Sequence, residues 1–139
     1  MYQSIQGNLG LGKAIEYFTS HNMMVAIPLN DTQKYDLIAE IDGKLSRISV
    51  KTSRYSHTNG LSYEVRLCNT GGSSGVGKRR NFNNASCDFV FVLTGNDKIY
   101  LIPSLDISVI NSITVGTKYT EYEVKTKTLS EFCKEQLEE

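Results

Sequence analysis

Twenty residues do most to limit what this chain can become: KYDLIAEIDGKLSRISVKTS, Lys34 to Ser53. Apolar and polar residues alternate on both sides of Asp42-Gly43, a pair suited to the positive φ angles of a type I′ turn. The stretch reads as a β-hairpin of Tyr35–Ile41 and Lys44–Ser53. A two-residue turn sets Ile41 opposite Lys44, and counting outward sets Asp36 opposite Ser49. Directly paired side chains share a face, with Cβ atoms about 4.5–5.5 Å apart. Lys51, two residues beyond Ser49, points the same way. One face then collects Asp36, Ser49 and Lys51, and the other collects Leu37, Ala39, Ile41, Ile48 and Val50. The apolar face fixes the register, because a one-residue slip would turn the charged set into the core.

Other elements follow from period and turn chemistry. Apolar residues at Leu11, Ala14, Ile15 and Phe18 predict a helix over Asn8 to His21, capped by Asn8. MMVAIPL predicts a short buried strand, and Asn30 to Lys34 a polar turn. Ser62 to Leu67, SYEVRL, alternates as a strand. NTGGSSGVGKRRNFNNAS reads as a long loop with a basic centre. DFVFVLTGNDKIYLIPS predicts a second hairpin, apolar enough to be central. Ser104 to Ile110 suits a short helix. Thr128 to Glu139 suits a C-terminal helix, with Thr128 and Glu131 at capping-box spacing. No repeat or linker interrupts the 139 residues, and a single domain, 1–139, is expected.

Composition narrows the class. No apolar run approaches the ~20 residues of a membrane span, and the N-terminus lacks the pattern of a signal peptide. A cytoplasmic chain with no membrane partner is expected. Cys68, Cys87 and Cys133 are odd in number and scattered, which suits reduced thiols rather than a disulfide framework or zinc site. Formal net charge is zero, but Lys44 to Arg80 holds eight basic residues and one acid, Glu64. That net +7 in a neutral chain is a footprint suited to phosphate backbones, a solvated mixed surface being the plainer alternative.

A carboxylate and an ammonium at the open end of a hairpin have two readings. One is a surface ion pair worth ~0–1 kcal/mol. The other is a phosphodiesterase site, in which Asp36 binds a divalent metal through a hard oxygen and Lys51 orients water or stabilises developing negative charge.

The segment IPLNDTQKYDLIAEIDGKLSRISVKTS, following a GxxGxxxAxxYF-type helix, resembles the core motif of the PD-(D/E)XK nuclease superfamily, and within it the small intron-encoded homing endonucleases. The resemblance implies an α/β, restriction-endonuclease-like fold: a central mixed β-sheet flanked by helices. It implies Mg²⁺-dependent hydrolysis of double-stranded DNA by a homo-oligomer, dimer or tetramer. Asp36 matches the motif's first acid and would bind metal, Lys51 matches its lysine, and the Val50 carbonyl would be a backbone ligand. Two positions depart from the pattern. Ser49 stands where Glu or Gln is usual, and Leu11 where relatives tend to place a helical Glu. Leu11 is also simply a core residue on the stripe with Ile15 and Phe18. Both departures imply a catalytically attenuated enzyme.

The expected DNA-contacting residues are Arg54, Tyr63, Glu64, Arg66, Lys78, Arg79, Arg80, Asn81 and Asn83. Arg can be bidentate to guanine, Glu can accept from cytosine, and Asn can read adenine. Tyr55 and His57 follow the second hairpin strand and suit phosphate contacts. Three alternatives remain: a Holliday-junction resolvase or restriction-type nuclease, a DNA-binding protein on this fold that no longer cuts, and an assembly module whose basic loop is incidental.

Overall fold

The computed structural model describes residues 2–30, 32–54, 56, 60–70 and 79–137. Helix α1 is Tyr2–Ser20. In chain order the strands are β1 (Val25–Ala26), β2 (Leu37–Ile41), β3 (Lys44–Ser53), β4 (Tyr63–Arg66), β5 (Asn69–Thr70), β6 (Arg79–Arg80), β7 (Phe89–Thr94), β8 (Ile99–Pro103), β9 (Ser112–Val115) and β10 (Glu123–Val124). Helix α2 is Leu129–Leu137.

Six strands form one sheet in the order β1-β2-β3-β7-β8-β10. β3 and β7 run parallel and every other neighbouring pair is antiparallel, so the sheet is mixed. The expected register of the first hairpin holds from Ile41↔Lys44 to Leu37↔Ile48. Asp42 and Gly43 both take positive φ, 52° and 79°, as a type I′ turn requires. The second hairpin, β7–β8, lies centrally, as its apolar run implies.

Each face of the sheet carries its own core. On one side Leu37, Ala39, Ile48 and Phe91 pack against Ala14, Tyr17 and Phe18 of α1. On the other, Val90, Val92, Tyr100 and Ile102 pack against Tyr63, Val65, Ile113 and Val115 of the β4–β9 ribbon. Alternation along β7 explains the division, since neighbouring residues of one strand face opposite sides. Parallel pairing sets Ser49 beside Val90 and Lys51 beside Val92. Both therefore lie on the face covered by the ribbon, away from α1.

Several expectations needed correction. α1 begins at Tyr2, so Asn8 lies within the helix and does not cap it. Ile15 remains 36% exposed, while Tyr17 takes the expected apolar position. From Ala14, residues 17 and 18 return to the same face, whereas residue 15 is rotated about 100° away. MMVAIPL supplies only Val25–Ala26, an edge strand with Ala26 exposed rather than a buried one. The helix expected over Ser104 to Ile110 is one 3-10 turn, Ser104–Asp106. The expected capping box does form at α2: Glu131 N–H donates to Thr128 Oγ1 (3.1 Å), and Thr128 N–H donates to Glu131 Oε1 (3.2 Å). Among the described residues no helix is long and apolar enough to cross a membrane.

Candidate active site

The first hairpin does not stay regular to its open end. Ile48, the register partner of Leu37, also accepts the Asp36 N–H through its carbonyl (2.8 Å). Two consecutive residues of one strand thus face one residue of the other, the count of a β-bulge. Asp36 is therefore not directly opposite Ser49, as uninterrupted pairing had implied. Its carboxylate instead accepts the Val50 N–H, with Oδ2 at 2.7 Å. In an antiparallel ladder one residue turns its N–H and C=O to the same neighbour. Val50 therefore directs its carbonyl toward the side on which Asp36 meets its N–H. The bulge re-aims the aspartate so that its side chain occupies a position a regular ladder would give to a backbone carbonyl.

Val50 lies between two residues that line a cavity of about 300 Å³, Ser49 and Lys51. The cavity walls also include Gln33, Lys34, Asn81 and Asn83. Ser49 is 5% exposed, Lys51 is half-buried and Asp36 is exposed. The structure brings Asn81 and Asn83, read from a distant loop, to the wall of the cavity that holds Ser49 and Lys51. Part of Asn83 is already used, since its Oδ1 accepts the Ala85 N–H at 2.9 Å. Leu11 is half-buried and packs against the core beneath α1, on the face opposite Ser49 and Lys51.

Other expected DNA contacts divide by strand alternation. Glu64 and Arg66 are exposed on one face of β4. Tyr63 is the correction: it is 7% exposed and belongs to the core under the ribbon. Period 2 places it with buried Val65, so its ring packs inward. β4 is drawn to the end of β3 where Ser53 Oγ donates to the Glu64 carbonyl at 2.6 Å. Arg54 is exposed. Arg79 and Arg80 form β6, paired with β5. Lys78, Tyr55 and His57 lie outside the described residues.

One basic residue of the central stretch is committed internally. Arg47 holds Asp88 through its backbone N–H (2.7 Å) and its guanidinium (Nε 3.2 Å, Nη2 3.3 Å), and also reaches the Ser86 and Ala85 carbonyls. These bonds to Arg47 hold the Asp88 carboxyl below the usual carboxylate range. The cluster ties the segment carrying Asn81 and Asn83 to β3. Nearby, burial pushes the Cys87 thiol up.

Sequence reasoning did not single out Gln33, which it read only as part of a polar turn. Gln33 lines the same cavity, and its Oε1 is buried without a hydrogen-bond partner. No spacing rule marks such a residue, because the cavity walls come from separate segments.

The donor chemistry fits a hard divalent cation. Asp36 offers a carboxylate and Val50 a carbonyl directed to the same side. No group of three or more His, Cys, Asp or Glu residues suited to a metal occurs among the described residues. Mg²⁺ is commonly held by one or two carboxylates with waters and substrate phosphates, which a single aspartate with a backbone carbonyl fits.

A six-stranded mixed sheet flanked by helices is the restriction-endonuclease-like fold. The chain belongs to the PD-(D/E)XK endonuclease family, which it matches over residues 1–132. Members generally use divalent metals and act on DNA. Among solved structures it is similar to that of a bacterial homing endonuclease, I-Ssp6803I, with a TM-score of 0.69 and 22% identity over 91% of this chain and 84% of that one. No curated protein matches the chain.

Proposed function

We propose that this endonuclease is a sequence-specific homing enzyme of the intron-mobility type, hydrolysing double-stranded DNA with Mg²⁺. The observation that carries the proposed site is the Asp36 carboxylate on the Val50 N–H at 2.7 Å, beside the cavity of Ser49 and Lys51. Asp36 and the Val50 carbonyl would hold the metal. A bound divalent cation lowers the pKa of a water and offsets charge on the phosphate. The Val50 N–H fixes the orientation of the Asp36 carboxylate before substrate arrives, which limits reorganisation during the reaction. Lys51 orients the attacking water or stabilises the developing negative charge through its ammonium. Exposed Arg54, Glu64 and Arg66, with Lys78, Arg79, Arg80, Asn81 and Asn83, would contact the duplex. A homo-oligomer would supply the two centres needed to cut both strands, with activity in the cytoplasm.

Ser49 supports attenuation, since a serine hydroxyl is shorter and neutral where a carboxylate or amide is usual, while Leu11 packs on the opposite face of the sheet and brings no oxygen to this centre. Selection from randomised duplexes, followed by cleavage of the winners with Mg²⁺ or Mn²⁺, tests the function. Asp36→Asn and Lys51→Ala should each lower cleavage at least 100-fold, the scale of losing a positioned catalytic group, while leaving binding measurable. Ser49→Gln should raise the rate, and full turnover by the unaltered chain would refute attenuation. Tight metal-independent binding without nicking would select the non-cleaving reading. Branched-DNA cleavage without sequence preference would select a resolvase.

A further inference from the structure

We infer that Lys34, a residue outside the motif, joins Lys51 in holding one backbone phosphate of the duplex in the cavity beside β3. The inference rests on the nuclease reading above and adds a substrate-binding residue to it. The cavity walls carry two lysines, Lys34 and Lys51, and no carboxylate. Asp36 is not on the wall, and its carboxylate is held on the Val50 N–H. Neither lysine forms an ion pair with a described residue. The other polar groups suit an anion as well. Asn83 spends its Oδ1 on the Ala85 N–H, which leaves its NH₂ group to donate. Ser49 brings a hydroxyl and Asn81 a second amide.

Two like charges lining one cavity repel, and an anion there relieves the repulsion. Lysine binds phosphate as a point charge, without the fixed fork of arginine. The cavity, about 300 Å³, is several times the roughly 30 Å³ share of one water, so a phosphate fits with part of its hydration. Lys34, Asn81 and Asn83 are exposed, whereas Ser49 is 5% exposed, so the donors run from a buried wall to an open rim where a strand can lie. The bonds from Arg47 to Asp88, Ser86 and Ala85 tie the segment carrying Asn81 and Asn83 to β3, so that wall stands before substrate arrives. Inorganic phosphate shares this chemistry, but the open rim and the endonuclease family favour a phosphodiester.

The test is fluorescence anisotropy of a short duplex of arbitrary sequence with the full chain, across a salt series in EDTA. It needs neither metal nor cleavage, so it reads the pocket even if no duplex is cut with Mg²⁺ or Mn²⁺, the outcome that would sink the catalytic reading instead. Lys34→Ala should reduce the slope of log affinity against log salt, and Lys34→Arg should keep the wild-type slope because the charge stays. Lys34→Ala with Lys51→Ala should reduce it by about 0.9 in all, the share of one phosphate. A combined loss of about 1.8 would mean two separate phosphates and overturns the shared pocket. An unchanged slope in Lys34→Ala overturns the assignment of Lys34. So does an equal loss in Lys13→Ala, whose residue lies on α1 across the sheet, since overall charge would then account for the effect. A melting temperature raised by inorganic phosphate in wild type but not in Lys34→Ala, with the DNA slope unchanged, overturns the phosphodiester in favour of a free anion. No binding of DNA by wild type overturns the pocket and the nuclease reading together. Thermal melts verify folding, and if Lys34→Ala loses its transition, Lys34→Gln is read by the same criteria.

Discussion

Asp36 and Arg47 lie on the same hairpin, and each is held by a specific partner, yet they serve different ends. Asp36 is exposed and spends one carboxylate oxygen on the Val50 N–H. Arg47 is spread over Asp88, Ser86 and Ala85, so its charge is committed to holding one segment on another. The Asp88 carboxyl is depressed chiefly by its hydrogen bond to Arg47. A depressed carboxylate pKa adds stability that is present above the unfolded value, near 3.9, and disappears as pH falls through the folded value. Both side chains are about two-fifths exposed, and solvent screening limits the contribution to about 1 kcal/mol. Urea midpoints at pH 6 and pH 3 should therefore fall less for Asp88→Asn than for wild type, because the amide has no charge to lose. An equal fall in the two proteins would show that the Arg47–Asp88 pair does not contribute to acid sensitivity.

At the scale of elements, α1 shows how helix propensity and packing compete. A Cβ added at Gly10 would come within 2.6 Å of Thr52 Cγ2 and 3.1 Å of Val50 Cγ1, whereas one at Gly12 meets nothing within 4 Å. Replacing a helical glycine with alanine gains up to about 1 kcal/mol in propensity, and overpacking a fitted contact costs about 1–3 kcal/mol. Thr52 and Val50 are β-branched and held in β3, so they yield little. Gly12→Ala should raise stability by up to about 1 kcal/mol. Gly10→Ala should lower it by a similar amount, with the packing cost exceeding the gain in propensity. Chemical denaturation of the two variants checks the opposed signs, and stabilisation by both would mean that α1 does not rest closely on β3. Gly10 touches Val50 and Thr52 of the strand that also carries Ser49 and Lys51, so the contact seats α1 on the face of that strand opposite the proposed cavity.

For the molecule as a whole, the basic stretch predicts salt-dependent DNA binding, but its residues are not equivalent. Replacing Lys78, Arg79 and Arg80 together with alanine should reduce the slope of log affinity against log salt by up to about 0.9 for each phosphate no longer neutralised. Arg47→Ala should leave that slope unchanged, because its guanidinium is already paired within the protein. Gel shifts across a salt series measure both, and an unchanged slope in the triple variant would remove that loop from the interface. Much of this fold was legible in the chain. The Asp42-Gly43 turn, the register from Ile41 to Leu37, the β7–β8 hairpin and the α2 capping box are set by neighbours in sequence and by period. The β9 and β10 strands were not, because the partners that give them their structure, β4 and β8, are separated from them in the chain. By itself the sequence determined which residues alternate, where the chain turns, and that Ser49 and Lys51 share a face, because these follow from backbone geometry over a few residues. Only the tertiary structure decided that Asp36 leaves the ladder for the Val50 N–H, that Tyr63 is buried while Glu64 and Arg66 are exposed, and that Gln33 and Asn81 meet at one cavity. Those outcomes depend on which surfaces exclude water and which distant segments close over them, and no local pattern encodes either.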